Sequence, residues 1–486
     1  MAGRLIQIKA PRAGRAYCLL MDEIPPFDAE LLRRYDRPGP RYTSYPTAQH
    51  FDPAFGEAEL REFARRSNNE LIPHPISLYA HVPYCASPCF CCGCNRVIAR
   101  DLRRGELYLE RLLREIERTA PLYDRDRDVQ QLHLGGGTPN FLQPAQLGRL
   151  LDSLGRQFHF SSSAERDFSI ELDPRHIDAA GVAELAGMGF NRASLGVQDF
   201  DPDVQAAVNR VQSVEQTLAV IDACREYGLR SVNVDLICGL PRQSMDGFGR
   251  ALATVIEARP DRLAIYGYAH LPELFKAQRR IRTEELPDAE MRLSLLQLAV
   301  EELSAAGYRY IGMDHFALPG DDLARAQTAG SLHRNFMGYT THADSDLIGL
   351  GVSAISHVGD SYSQNSRDLR GWEIAIDQER LPVGRGVALT FDDVLRADVI
   401  QQLMCHGTID ITAVEHRFDL EFARYFAESL SQLRQLAVDG LLILEESRIS
   451  VTSRGRSLLH IIAMCFDRYL QLSASGGDGT RYSKAI

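Results

Sequence analysis

No stretch of this chain is both long and apolar enough to cross a bilayer. The least polar segment, residues 347–359, is rich in Gly and Ser and too short to span one. The first twenty residues lack the unbroken apolar core of a secretory signal. A cytoplasmic protein is therefore expected. A basic excess is missing as well, since 54 Lys and Arg face 65 Asp and Glu, a net charge of −11. General nucleic-acid binding normally needs a basic face and is disfavoured. An anionic substrate would have to be met by a local cluster of cations or backbone N–H groups. No internal repeat is visible. With 45% hydrophobic and 24% charged residues, the chain has the profile of a soluble globular enzyme. Its 486 residues exceed one ordinary core, which predicts one large domain with a smaller one or two.

Cysteine is sparse outside one place: five of the ten lie between Cys85 and Cys94. A secreted disulfide framework would spread them along the chain, whereas crowding in a cytosolic protein points to metal or redox chemistry. The segment HVPYCASPCFCCGCN sets Cys85, Cys89 and Cys92 at C-x3-C-x2-C spacing just after a strand-like run. Three thiolates on one tight loop can each ligate an iron of a cuboidal cluster. One iron then lacks a protein ligand, and an open metal position is where substrate binds and chemistry begins. Here it could chelate the amino and carboxylate groups of a methionine. Structural zinc usually pairs two separated motifs, and the chain has no second C-x2-C or H-x3-H cluster.

Strand-like runs alternate with helix-like ones from Ile76 onward. The strands are SLYAHV, QQLHL, FSIEL, NRASLG, SVNVDLI and DRLAIYGYAHL. The helices between them are LYLERLLREIERTA, AQLGRLLDSLGRQF, AGVAELAGMGF, VEQTLAVIDACREYG and MDGFGRALATVIEAR. This alternation predicts a parallel sheet with covering helices, whose strand C-termini carry the chemistry. Before it, DAELLRRYD reads as a short helix and RPGPRYTSYPTAQHF as an extended strap. After about residue 389, helices precede a short hairpin (LLILEE, RISVT) and a last helix, a winged-helix-like pattern. Residues 391–470 carry twelve Asp and Glu against eight Arg, so docking onto the barrel is a better reading than DNA contact.

Single residues leave alternatives open. The glycines of GGGTP, 135–139, let backbone approach a ligand, though a plain tight turn needs them equally. Glu171 ends a strand, where a solvated carboxylate is the plain reading. Tyr79 and His81 face the same side of theirs and most often such residues only pack. Arg210 and Asp235 suit a carboxylate and ribose hydroxyls, or else a buried structural ion pair. His315 is a candidate or a satisfied core histidine.

C-x3-C-x2-C after a strand resembles the radical SAM superfamily. Followed in order by GCN, GGGTP, GFNRASLGVQDF, DLICGLP, YAHLP, GMDHFA, LHRNFMGYTT and GVSAIS, it is similar to the oxygen-independent coproporphyrinogen III oxidases over about residues 35–469. The resemblance implies an α/β fold: a radical SAM partial (β/α) barrel with a small, mainly helical, winged-helix-like C-terminal domain. The expected boundaries are an arm 1–20, a strap 21–75, a catalytic barrel 76–388, a helical domain 389–472 and a tail 473–486. The arm is an extra relative to the family, and Met21 is a possible alternative start.

The resemblance also implies a [4Fe–4S] cluster on Cys85, Cys89 and Cys92 and two molecules of S-adenosylmethionine (SAM). Tyr79, Gly136, Glu171 and Ile355 match first-SAM positions. Gly137, Thr138, Gln198, Arg210, Asp235 and Ala269 match second-SAM positions. Cys94 and Tyr79 are the catalytic candidates. Cys91 stands where the superfamily usually has an aromatic residue, with Phe90 one place earlier, and is expected to face SAM or packing. The implied reaction is oxidative decarboxylation of coproporphyrinogen III to protoporphyrinogen IX by a monomer, served by an electron donor and an acceptor that the sequence does not name. A haem-carrying chaperone and other radical SAM tetrapyrrole enzymes are the alternatives; Cys94 and the HRNF segment favour the oxidase. For the substrate's carboxylates the candidates are Arg33, Arg34, Arg37 and Arg41 on the strap, His333 with Arg334, and Lys276 with Arg279, Arg280 and Arg282.

Overall fold

The computed structural model describes residues 28–35 and 37–471. The arm 1–20, the start of the strap and the tail 473–486 lie outside the described residues. Six strands run parallel, side by side: β1 (Ile76–Val82), β2 (Asp128–Gly136), β3 (Asp167–Leu172), β4 (Arg192–Gln198), β5 (Ser231–Cys238) and β6 (Arg262–Gly267). Helices Arg103–Thr119, Pro144–Gln157, Ala179–Gly187, Val214–Glu226 and Met245–Ala258 connect them. Beyond β6 the sheet turns antiparallel through β7 (Arg309–Gly312) and β8 (His315–Ala317), which lies next to β6. On the other side β1 pairs in parallel with β9 (Asp346–Leu350). From there β10 (Ile355–His357), β11 (Ser361–Asn365) and β12 (Val383–Ala388) follow antiparallel. The Gly/Ser-rich stretch 347–359 thus builds strands.

The two-residue period of a strand sorts the side chains. Leu78, Ala80, Val82, Leu132, Leu134, Ile170, Leu172, Leu195, Val234, Leu236 and Ile265 join the helices in one apolar core. The intervening positions are polar and face the bore. Registers Tyr79↔His133↔Ser169 and Glu171↔Ser194↔Asn233 lay them in rows across neighbouring strands. Helix starts are fixed locally: the Ser213 and Ser244 hydroxyls accept from the N–H groups of Gln216 and Gly247, both at 3.1 Å.

The C-terminal part starts with helix Phe391–His406 and ends with Leu459–Met464. Its sheet is more than the expected hairpin. Thr408–Asp410 pairs with Arg448–Val451, which also pairs with Leu442–Leu444. Leu395, Val399, Leu403, Ile461 and Phe466 form its core, and the strap's Leu31, Leu32, Tyr42 and Tyr45 are part of it. Tyr42 donates its hydroxyl to Asp467 at 2.9 Å, and the Arg468 N–H donates to the Tyr45 hydroxyl at 3.0 Å. The same strap reaches the barrel sheet, where Asp52 and Gly386 exchange two backbone hydrogen bonds. Residues 57–68, within the expected strap 21–75 but past its extended stretch, form helix Glu57–Asn68, started by Glu59 accepting the Gly56 N–H at 2.9 Å. Among the described residues no helix is long and apolar enough to cross a membrane.

Candidate functional site

After β1, Tyr84–Cys85 pairs with Val97–Ile98 and closes the cysteine loop between them. Neighbouring elements grip that loop. The Phe90 N–H donates to the Val208 carbonyl (2.8 Å), Asn209 to the Pro88 carbonyl (2.7 Å), Arg96 to the Cys89 carbonyl (2.8 Å) and Gln278 to the Cys91 carbonyl (3.3 Å). Below it opens a cavity of about 350 Å³. Its wall brings together Cys85, Cys89, Cys91, Cys92 and Cys94 with Gly136, Gly137, Thr138, Glu171, Gln198, Arg210 and Asp235. Residues from five strands and their loops thus share one wall. Tyr79, Ala269 and Ile355 are not on this wall. The Tyr79 hydroxyl lies 3.0 Å from His81 Nδ1, and its ring stacks on His133. The Ala269 carbonyl accepts from Gln278, and Ile355 sits on β10 opposite Gln364. A second cavity of about 160 Å³, deeper in the bore, shares Glu171, Ser194, Asp235 and Tyr266 with the first.

The donor set suits a thiolate-held iron–sulfur cluster. Arg210 Nη1 lies 3.4 Å and Arg175 Nη2 3.8 Å from Cys89 Sγ, while the Thr138 hydroxyl donates to Cys85 Sγ at 3.4 Å. The Cys94 N–H donates to Cys92 Sγ at 3.3 Å. Hydrogen bonding to Cys94 pulls Cys92 well below the usual thiol value and pushes Cys94 well above it. Burial, helped by the neighbouring cysteines, raises Cys85 to about 11, against the Thr138 hydrogen bond, and Cys91 to about 12. Among the described residues no three His, Cys, Asp or Glu side chains converge on a single ion. A mononuclear zinc needs such convergence, whereas a cuboidal cluster takes each thiolate to a different iron. The glycines lie flush against the loop: a Cβ on Gly137 would sit 2.6 Å from the Pro83 carbonyl oxygen. Gly136 has a φ of +117°, and a Cβ there would meet the His81 ring at 2.6 Å.

Charged groups of both signs line the cavity. Glu171 accepts the Gly136 N–H at 3.1 Å on one oxygen, and His133 Nε2 lies 3.3 Å from the other. Removal from bulk water raises this carboxyl, but His133 and the Gly136 N–H outweigh that and hold it below its ordinary value. Asp235 accepts from Asn233 (2.8 Å) and Ser194 (3.2 Å), yet burial pushes it up to about 6. Arg210 does not pair with Asp235. It reaches Asp173 at 3.4 Å and the Gly196 carbonyl, and its Nε is buried without a partner. Asp173 is held down to about 2 by Arg175 and Arg210 against its burial. The sequence reading missed His133, Asp173, Arg175 and Tyr266. Polar residues two apart on one strand, and those just past a strand end, were the available signal.

The strap cations are mostly engaged. Arg33 reaches Glu290 at 3.7 Å, Arg34 pairs with Asp439 at 3.0 Å, and Arg41 pairs with Asp314. Arg41 is therefore not free to receive a substrate carboxylate. His333 contacts Gln401 at 2.7 Å. Arg334 is buried over the Tyr339 ring, with Nη1 lacking a partner. His315 lines the deeper cavity, and burial lowers its ring to about 3. Lys276, Arg279 and Arg280 are exposed beside the cysteine loop.

The radical SAM superfamily model matches residues 79–255, and the HemN C-terminal domain model matches residues 389–458. The chain is 49% identical over 444 residues to the oxygen-independent coproporphyrinogen III oxidase of Pseudomonas aeruginosa, covering 91% of this chain and 96% of that one. It is 47% identical over 449 residues to the Escherichia coli protein of the same name, covering 92% and 96%. The solved structure of coproporphyrinogen III oxidase from Escherichia coli, described as a radical SAM enzyme, superposes with a TM-score of 0.87 at 45% identity. It covers 92% of this chain and all of that one. With the barrel, the cysteine loop and the C-terminal domain all matched, the chain belongs to the oxygen-independent coproporphyrinogen III oxidase family of radical SAM enzymes.

Proposed function

We propose that this protein converts coproporphyrinogen III to protoporphyrinogen IX in porphyrin biosynthesis, with a [4Fe–4S] cluster and SAM and without oxygen. The observation that carries this reading is the single cavity joining the C-x3-C-x2-C thiols to the GGGTP backbone, in a chain of this family. Each of two propionates loses a hydrogen atom from its β-carbon, then CO2 and one electron, and becomes a vinyl group. When bound, the reduced cluster and SAM together supply the 5′-deoxyadenosyl radical that accepts the hydrogen atom. The protein supplies orientation and keeps competing reactions out.

Cys85, Cys89 and Cys92 would hold three irons, supported by their spacing and their shared wall. Gly136 and Glu171, steadied by His133, suit the ammonium group of the first SAM, with Tyr79 and Ile355 at its margin by family match. Arg210 has a free Nε and a guanidinium edge on the cavity for a methionine carboxylate, and Asp235 suits ribose hydroxyls. With Gly137, Thr138, Gln198 and Ala269 these two residues would form a second SAM site. The adjoining cavities that share Glu171 and Asp235 support room for it. Cys94, exposed at the rim, is the candidate for a role in turnover, and Cys91 for a wall contact. The free thiols at this site suit a reducing, cytoplasmic setting. The unit matched at residues 389–458 is read as part of the domain 389–472 closing over the barrel, and the protein as a monomer.

The test is anaerobic reconstitution with iron and sulfide, followed by SAM, dithionite and coproporphyrinogen III. Product mass should show loss of two CO2 units, with 5′-deoxyadenosine and methionine accumulating. Conversion at full rate without SAM would refute the reading. Calorimetric titration of SAM should give two molecules per chain; a single molecule would remove the second site only.

A further inference from the structure

The cysteine loop has an outer face, and three segments border it. Residues 96–104 continue from its end, because Val97–Ile98 pairs with Tyr84–Cys85. Residues 208–211 pack on its first half through the Val208 and Asn209 hydrogen bonds. Residues 273–282 pack on its middle: Gln278 holds the Cys91 carbonyl, Arg280 covers the Phe90 ring at 5.5 Å, and the Phe275 ring lies 3.3 Å from where a Cβ on Gly93 would be.

The composition of this border departs from the rest of the molecule. Segment 96–104 carries Arg96, Arg100, Arg103 and Arg104 against Asp101 alone. Segment 273–282 carries Lys276, Arg279, Arg280 and Arg282 against Glu273 alone, all in a chain of net charge −11. Asp101 is taken up by Arg103, and Arg282 by Glu284 and Glu285. Exposed large apolar side chains stand among these cations: Ile98, Leu102, Val211 (70% exposed) and Leu274. Apolar groups amid charge of one sign, with solvent on the far side, are the make-up of a docking surface for a partner of opposite charge.

We propose that this face is the docking surface for a small acidic one-electron carrier protein. The inference rests on the function proposed above, which consumes one electron for each SAM cleaved at a site enclosed beneath this loop. In the transfer, the carrier's reduced flavin gives up one electron and the oxidised cluster takes it up; no bond is formed or broken. A basic face attracts an acidic carrier from a distance, and the apolar side chains close the contact beside the loop that holds the thiols.

The experiment compares two reductants on the reconstituted holoenzyme: dithionite, and an acidic flavodoxin kept reduced by its reductase. The variant is the charge reversal Arg100→Glu with Arg104→Glu, both exposed on the border segment 96–104; Arg65→Glu with Arg66→Glu on helix Glu57–Asn68 is the control. The reversed enzyme should cleave SAM at the wild-type rate with dithionite and at least about tenfold more slowly with flavodoxin. Binding of oxidised flavodoxin, measured by surface plasmon resonance, should weaken in step and lose its salt dependence. The control should match wild type in both. Unchanged flavodoxin binding and rate in the reversed variant would overturn the proposal. So would equal slowing with both reductants, or a raised KM for coproporphyrinogen III under dithionite, which would assign the cations to substrate. Wild-type enzyme that fails to cleave SAM with dithionite would instead defeat the function on which the proposal rests.

Discussion

The two ends of the barrel bore are built from the same strands and the same residue types, yet they are finished differently. At the strand starts the charges are closed on one another. Arg192 Nε meets Asp167 at 2.5 Å, Arg262 donates to both oxygens of Asp321 at 2.9 Å, and His342 lies 3.2 Å from Asp167. Arg192 and Asp167 are both buried. At the strand ends, Glu171, Asp235 and Arg210 face an open cavity, Asp235 sits near pH 6, and Arg210 keeps a buried nitrogen unpaired. The closed end holds the barrel's shape. The open end keeps polar capacity in reserve for a ligand, as expected where the strand C-termini carry the chemistry.

Four experiments sharpen or break this contrast. The largest effect belongs to the open end: Ser at Cys85, Cys89 or Cys92 should abolish the [4Fe–4S] absorbance and all SAM cleavage, with circular dichroism unchanged. Next comes the closed end. Arg192→Met removes one of several cations around Asp167 and Asp322, which keep Arg230 and Arg325, and should cost about 1.5–3 kcal/mol in urea unfolding, the range for a hydrogen bond to a charged group. The molecules that remain folded should bind the first SAM, at Gly136 and Glu171, with wild-type affinity. If SAM affinity fell in step with stability, the two ends would not be separable.

Glu171→Gln should weaken SAM binding by about 1.5–3 kcal/mol, the range for a charge-assisted hydrogen bond, with little change in unfolding midpoint. The smallest effect is in pH. An ionised carboxylate accepts from hydroxyl groups more strongly than a protonated one, so SAM affinity should decline as pH falls through about 6, and Asp235→Asn should be weaker but flat across that range. The stability sign runs the other way. With the carboxyl raised from 3.8 to about 6, the folded chain keeps a proton that the unfolded chain releases. Its contribution is therefore full at low pH and is lost as pH rises through that window. A pH-independent wild type would remove Asp235 from the site.

Much of the open end was legible because its signals are local. The cysteine spacing, the glycine run and the strands' two-residue period each lie within a few residues of sequence, and all six strands and the five helices between them fall where that patterning predicts. What failed depends on distance. Arg41 lies 273 residues from its partner Asp314, so no local pattern could show that it is already paired. Arg210 had several strand-end carboxylates to choose from, and only the packed barrel selects Asp173 over Asp235. Helix Glu57–Asn68 was hidden by polarity, since its buried face is only Leu60, Ala64 and Ser67.

The strap also sets an order of events during synthesis. Tyr42 emerges from the ribosome early, but its partner Asp467 follows 425 residues later. Until then Leu31, Leu32, Tyr42 and Tyr45 have no C-terminal core to enter. The six parallel strands β1 to β6 can pair as they appear, because their contacts are sequential, whereas closure of the strap must await helix Leu459–Met464 and Asp467. A nascent chain stalled anywhere before those residues therefore carries an unsheltered aromatic segment, a natural foothold for a holding chaperone or a protease.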